Sequence, residues 1–216
     1  RRSWDDAAVD ERSHERELLL AWRDGDRAAG SRLIRSHAAM VQRFFANKLS
    51  NTEQVEELSQ RTFAACVSGV ERFRGDSNFR TWLFAVANNV LREYFRENRR
   101  QSKIDFGEFS VQDAGGGPST VLGASQEQQL LLAALRRIPI DSQVLLELYY
   151  WEGLTAPELA EVMAMPVGTV RGRISKAKLA LRAELDTMER TGGRPQTTEA
   201  QLDDWARELR ARLERS

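Results

Sequence analysis

The stretch Leu154–Leu181, LTAPELAEVMAMPVGTVRGRISKAKLAL, admits few folds because its apolar residues keep a helical period on both sides of one break. Thr155 and Glu158 stand at the Ser/Thr-x-x-Glu spacing of a capping box, in which each side chain satisfies the other's free backbone donor. A first helix therefore begins at Ala156 and turns Leu159, Val162 and Met163 inward. It ends at Ala164–Pro166, because proline lacks the amide hydrogen that a continuing helix needs. From Val167 the period resumes, with Val170, Ile174, Ala177 and Leu181 on one face. Arg171, Arg173, Lys176, Lys178 and Arg182 follow with no acid among them. A helix with an apolar back and a cationic front, propped on a shorter helix, is how a helix-turn-helix offers side chains to the DNA major groove. An amphipathic pair with a solvated cationic face fits the same residues, so the rest of the chain must decide.

Length and charge narrow the choice. A chain of 216 residues with 41% hydrophobic residues has room for one or two domains with real cores. The net charge of zero argues against nucleic acid only until the charges are located. Residues 72–103 carry eight Lys/Arg against Asp76, Glu93 and Glu97, whereas residues 104–125 carry Asp105, Glu108 and Asp113 and no base. Opposite patches cancel in the sum, and the local field is what a polyanion meets. The single Cys66, among Phe63, Ala64, Ala65 and Val67, excludes an internal disulfide and reads as a small buried hydrophobe. No apolar run approaches the ~18 residues of a membrane span, and no signal peptide is visible, so a cytoplasmic protein without membrane insertion is expected. His14 and His37 are isolated, no cluster has metal-ligand spacing, and no Gly-rich loop follows a strand, so neither catalysis nor a cofactor or metal is expected.

The chain divides where composition changes. Residues 1–103 read as one all-helical domain. Leu18, Leu19, Leu20 and Trp22 fill a short first helix that stops near Gly25. Leu33 to Phe45 fill a second; Val55, Leu58, Phe63, Val67, Val70 and Phe73 fill a third; and a fourth starts at Phe79. Residues 104–125, with Gly115–Gly116–Gly117–Pro118, read as a flexible acidic linker. Residues 126–187 give four shorter helices, including the helix-turn-helix. Residues 188–216 form an extension in which a loop, TGGRPQTT, precedes a last helix striped by Leu202, Trp205, Leu209 and Leu213. No alternating stretch is long enough for a strand, so the fold class is all-α.

A second feature sets the chain apart from an ordinary DNA-binding helix pair. Phe73–Arg100, FRGDSNFRTWLFAVANNVLREYFRENRR, joins a short polar loop to a helix rich in aromatics, arginines and two adjacent asparagines. Unstacked bases lie on aromatic surfaces, amides read base edges and arginines hold phosphates, which is what single-stranded nucleic acid requires. Periodicity assigns Trp82, Val86 and Val90 to a helical core, but Asn88 and Asn89 are poor interior helix residues and point to a polar task.

Taken together, VEELSQRTFAACVSGVERFRGDSNFRTWLFAVANN and, after the linker, YYWEGLTAPELAEVMAMPVGTVRGRISKAKLAL resemble a bacterial sigma factor of the extracytoplasmic-function group. The likeness runs over about residues 14–187, in order and spacing. It implies two helical domains, regions 2 and 4, that bind core RNA polymerase at its clamp coiled-coil and flap and lend it promoter specificity without catalysing anything. Glu57, Leu58, Gln60 and Phe63 would meet the clamp. Phe73, Arg74, Gly75, Asp76 and Ser77 would form a pocket for a base flipped out of the −10 element, with Asn89 contacting the same region and Trp82 in support. Thr169, Arg171, Gly172, Ser175 and Lys176 would face the −35 duplex, with Arg173 and Lys178 on phosphates. An anti-sigma factor would be a further partner.

Four residues depart from the usual pattern: Arg61 where an acid is frequent, Glu93 for aspartate, Gly172 for serine and Lys176 for arginine. A lysine cannot read a base bidentately, so the −35 sequence does not transfer from relatives. The alternative is a helix-turn-helix repressor or activator working without core polymerase. It accounts for residues 154–182 but not for Phe73–Arg100.

Overall fold

The computed structural model describes residues 2–49, 51–73, 75, 77–98, 110–111, 126–192 and 204. Arg74, Asp76, most of the expected linker and the expected terminal helix around Trp205 lie outside those residues. The described elements are α1 (Arg2–Arg23), α2 (Arg27–Ala46), α3 (Thr52–Gly69), a 3-10 turn (Val70–Arg72), α4 (Phe79–Asn98), α5 (Gln126–Leu135), α6 (Ile140–Tyr150), α7 (Ala156–Met163) and α8 (Val167–Gly192). Among the described residues no strand forms, and Ser110 and Val111 are buried, with Ser110 bridged to Pro139. The chain is all-α.

Three helices, α2, α3 and α4, start where a side chain serves their free amides. Asp26 accepts from the Ala28 and Ala29 amides at 2.8 and 3.1 Å, Asn51 from Glu53 at 2.8 Å, and Asn78 from Thr81 at 2.7 Å. Two helices are longer than expected. The first spans 22 residues, because nothing before Gly25 interrupts it, and Gly25 then takes a positive φ of 103°. The last runs 26 residues, through Thr191 and Gly192 of the expected loop.

The first group packs α1 on α2, α2 on α3 and α3 on α4. Phe45, Leu33, Leu58, Leu83 and Phe84 are wholly enclosed, each contributing roughly 1.5–3 kcal/mol of burial. Gly30 is required by packing rather than by φ: a Cβ there would sit 2.6 Å from the Trp22 indole, so α1 and α2 approach closely only because the side chain is absent. His37 ties three helices together, with Nε2 3.0 Å from Glu15 on α1, Nδ1 3.0 Å from the Leu33 carbonyl and its ring edge-on to Phe79 of α4. Leu20 and Val67, expected in the core, are instead 40% and 55% exposed. Both lie one position off their buried stripes, which Leu19 and Cys66 occupy.

In the second group Leu131, Leu135, Trp151, Leu181 and Leu185 join α5, α6 and α8 around their own core. The short α7 faces the other way and packs on α4. Its Leu159, Val162 and Met163 belong to the same continuous apolar cluster as Leu83, Ala87 and Leu91. That is why α4 is buried so widely: α3 covers one side and α7 the other. The two groups therefore meet along a seam.

Candidate nucleic-acid interface

Residues 155–182 form the expected helix-turn-helix. The Thr155 amide and hydroxyl both donate to the Glu158 carboxylate at 2.7 Å, and the Glu158 amide returns a bond to the Thr155 hydroxyl. Burial acts against charge on Glu158, but the Thr155 amide and hydroxyl, the Asn78 amide and the Arg80 charge outweigh it and hold the carboxyl below its ordinary range. At the far end of α7, Ala164 takes φ 52° and ψ 49°, the left-handed conformation that closes a helix, and the chain turns into α8.

Val170, Ile174, Ala177 and Leu181 are buried, so the apolar back of α8 faces the protein. Its front presents Thr169, Arg171, Gly172, Ser175 and Lys176, all exposed on consecutive turns. A Cβ at Gly172 would meet nothing within 4 Å, so packing does not demand glycine there, and the front has a gap rather than a side chain. Arg173, also exposed, and the half-buried Lys178 each have a neighbour within the protein. Arg173 lies 3.6 Å from Asp141, and the Lys178 ammonium sits over the rings of Tyr149 and Tyr150, 5.3 and 5.0 Å from their centroids.

The residues from Phe73 to Asn89 gather at the N-terminal half of α4. Phe73 is buried against Trp82, ring centroids 4.9 Å apart, and Trp82 also meets Phe79 at 5.8 Å. Trp82 thus shapes the base of the loop. Gly75 has φ 79°, a left-handed conformation that a side chain would strain. A cleft of about 550 Å³ opens beside the loop between Phe73, Ser77 and Phe79 on one wall and Arg16, Leu20 and Arg23 of α1 on the other. These α1 residues were missed by sequence reasoning, although their i, i+4, i+7 spacing already marks a common stripe. The two asparagines separate: Asn89 is exposed, whereas Asn88 is 2% exposed and donates to the Val162 carbonyl at 3.3 Å.

On α3 the four residues singled out also divide. Glu57 and Gln60 are exposed, Phe63 is half-buried, and Leu58 is fully enclosed, so Leu58 positions the helix and its neighbours supply the surface. Ala64 and the exposed Val67 continue the Glu57–Gln60 face by helical spacing. The sequence signal for Val67 was its displacement from the core stripe Val55, Leu58, Thr62, Cys66. Arg61 lies 3.2 Å from both Glu93 and Glu97 and 3.9 Å from Glu57, which links the departures at positions 61 and 93 in one network.

Comparison with known proteins follows the same division. Residues 33–101 match Sigma-70 region 2 and residues 128–181 match Sigma-70, region 4. The chain is 30% identical over 136 residues to the ECF RNA polymerase sigma-E factor of Salmonella typhimurium, covering 59% of this chain and 71% of that protein. It is 26% identical over 170 residues to the sigma-E factor of Haemophilus influenzae, covering 74% and 89%. Among solved structures, CnrH bound to the cytosolic domain of CnrY superposes with a TM-score of 0.57 at 25% identity, covering 81% of this chain and 98% of that one. The sigma factor RpoE of Bartonella quintana, solved with the anti-sigma factor NepR, shares the fold with a TM-score of 0.56 at 22% identity, covering 72% and 96%. The chain belongs to the sigma-70 family, as a sigma factor of the extracytoplasmic-function group.

Proposed function

We propose that the chain binds core RNA polymerase and directs it to promoters through residues 1–103 at the −10 element and 126–187 at the −35 element, joined by 104–125. The observation that carries this reading is the pairing, in one chain, of a helix-turn-helix with a free polar front and a separate loop–helix unit rich in aromatics, amides and arginines. A repressor needs only the first.

Thr169, Arg171, Gly172, Ser175 and Lys176 read the −35 duplex, Arg171 suiting a guanine edge. The cleft beside Phe73, Gly75 and Ser77 receives an unstacked base, with Arg16 and Arg23 near its phosphates and Asn89 on the adjoining surface. Arg74 and Asp76 complete the loop in sequence. Flipping a base costs a few kcal/mol, which a shaped pocket with hydrogen-bonding groups recovers selectively. Glu57, Gln60, Phe63, Ala64 and Val67 form the surface that meets the polymerase clamp. Arg173 and Lys178 reach phosphates only by leaving Asp141 and the tyrosine rings. Phosphodiester chemistry belongs to the polymerase, and a regulator of the anti-sigma kind is a natural partner. Among the described residues no helix is long and apolar enough to cross a membrane.

The test is transcription from mapped promoters with purified core enzyme. Initiation and footprints should require both proteins, and Lys176→Ala should weaken promoters according to their −35 sequence. Protection of DNA by the chain alone would favour a repressor. A uniform effect of Lys176→Ala would reassign that residue to phosphate contact.

A further inference from the structure

The cleft beside the Phe73–Phe79 loop has two walls that offer a base different things. Phe73 and Phe79 are buried, so the aromatic wall shows little of its rings. On the other wall Leu20 of α1 is exposed, one position off the core stripe that Leu19 holds. An apolar side chain left open inside a cleft suits the flat face of an unstacked base.

The polar groups divide as well. Asn78 lines the cleft, but its amide nitrogen donates to Glu158 and its amide oxygen accepts from Thr81, so both ends are engaged. Arg16 and Arg23 are exposed, long and suited to phosphates. Glu15 differs from these. It is half-buried, and its Oε1 meets Nε2 of His37 at 3.0 Å. His37 is itself held on α2: Nδ1 lies 3.0 Å from the Leu33 carbonyl, and the ring stands edge-on to Phe79 with centroids 5.2 Å apart. One buried imidazole thus touches both walls and fixes Glu15 between them. Among the described residues, Oε2 of Glu15 has no hydrogen bond or ion pair.

Hydrogen-bond chemistry then selects the base. An ionised carboxylate only accepts. Cytosine and adenine each present an exocyclic amine as a donor. The ring donor of thymine stands between two carbonyl oxygens, which a carboxylate repels. Guanine is best met by both oxygens of a carboxylate, through N1–H and its 2-amine, and here His37 engages one of them.

Resting on the reading of this cleft as the place of an unstacked base, we propose that α1 is its reading wall. Leu20 carries the ring of a cytosine or adenine, and Glu15, positioned by His37, accepts from the exocyclic amine. Arg16 and Arg23 offset the repulsion between that carboxylate and the phosphates.

The test uses the full chain with core polymerase on promoter bubbles. 2-Aminopurine moved along the non-template −10 strand locates the unstacked position by its rise in fluorescence. Bubbles then carry each of the four bases there, or pyrimidin-2-one and purine, which lack only the amine of cytosine and adenine. With the wild-type chain, cytosine, adenine or both should bind at least about fivefold tighter than thymine, guanine and the matching amine-free analogue. Whichever of the two leads identifies the base. Glu15→Ala should cut the preference to within about twofold while unstacking persists. Leu20→Ala should weaken every bubble about threefold or more and keep the preference. His37→Gln should shrink the preference as Glu15→Ala does, and an equal loss on all bases would overturn its positioning role. No preference for the amine in wild type, or one that survives Glu15→Ala, overturns the inference and leaves the sigma-factor reading standing. A holoenzyme that starts transcripts but unstacks no base overturns the reading of the cleft, and one that starts none overturns the sigma-factor reading.

Discussion

Asn78 donates from Nδ2 to Glu158 Oε1 at 2.8 Å while its own Oδ1 accepts from the Thr81 amide at 2.7 Å. One side chain thus begins α4 and fastens it to α7. Glu158 in turn closes the α7 capping box, so a single carboxylate sits between two helix N-termini whose partial positive charges both favour it. The loop proposed for the −10 element and the helix-turn-helix are mechanically joined at this point.

That geometry carries a pH dependence. Because the folded state holds the Glu158 carboxyl low, it contributes stability that is fully present above the unfolded value near ~4.3 and lost as pH falls through the folded value. Glu158→Gln should lower the melting temperature at neutral pH, and the gap from wild type should close in the acid range. A gap independent of pH, measured by thermal melts across that range, would remove the charge from the account.

On α3, burial separates structure from contact. Leu58→Ala should cost about 2–5 kcal/mol because it opens a cavity in an enclosed site. Gln60→Ala, two residues on and on the exposed side of the same helix, should change stability by no more than ~0.5 kcal/mol yet weaken binding to core polymerase. Denaturant unfolding paired with a core-binding titration distinguishes them, and a Gln60 variant with full affinity would move the clamp surface elsewhere.

The adjacent asparagines should behave differently for the same reason. Asn89→Ala, at an exposed position, should leave unfolding within ~0.5 kcal/mol of wild type and impair open-complex formation at the cognate promoter. Asn88→Ala should change stability by about 1 kcal/mol through the lost bond to Val162. Equal loss of core binding and strand opening in the Asn89 variant would make that residue structural.

Burial pushes the Cys66 thiol up to about 12, so almost none of it is thiolate at neutral pH. A thiol reagent should label the native protein only at the rate of unfolding and label the denatured protein fully. Rapid native labelling would mean that α3 opens locally.

Much of this molecule is written in its local sequence. The capping pair Thr155/Glu158, the proline stop and the period of Val170, Ile174, Ala177 and Leu181 determined the helix-turn-helix to within a residue, because each acts over no more than a few turns. Apolar spacing likewise announced α2, α3 and α4. Periodicity averages over a face, however, and so misplaced Leu20 and Val67, each one position from a buried neighbour.

Tertiary structure alone decided which of two adjacent asparagines is buried, that Lys48 pairs with Glu147 ninety-nine positions away, and that α1 supplies a wall of the cleft beside Phe73. Adjacent helical residues point about 100° apart, so their fates depend on what packs against each side, and that is set by helices distant in the chain. The seam was illegible for the same reason: its acids and bases read as separate surface patches until α7 was laid on α4.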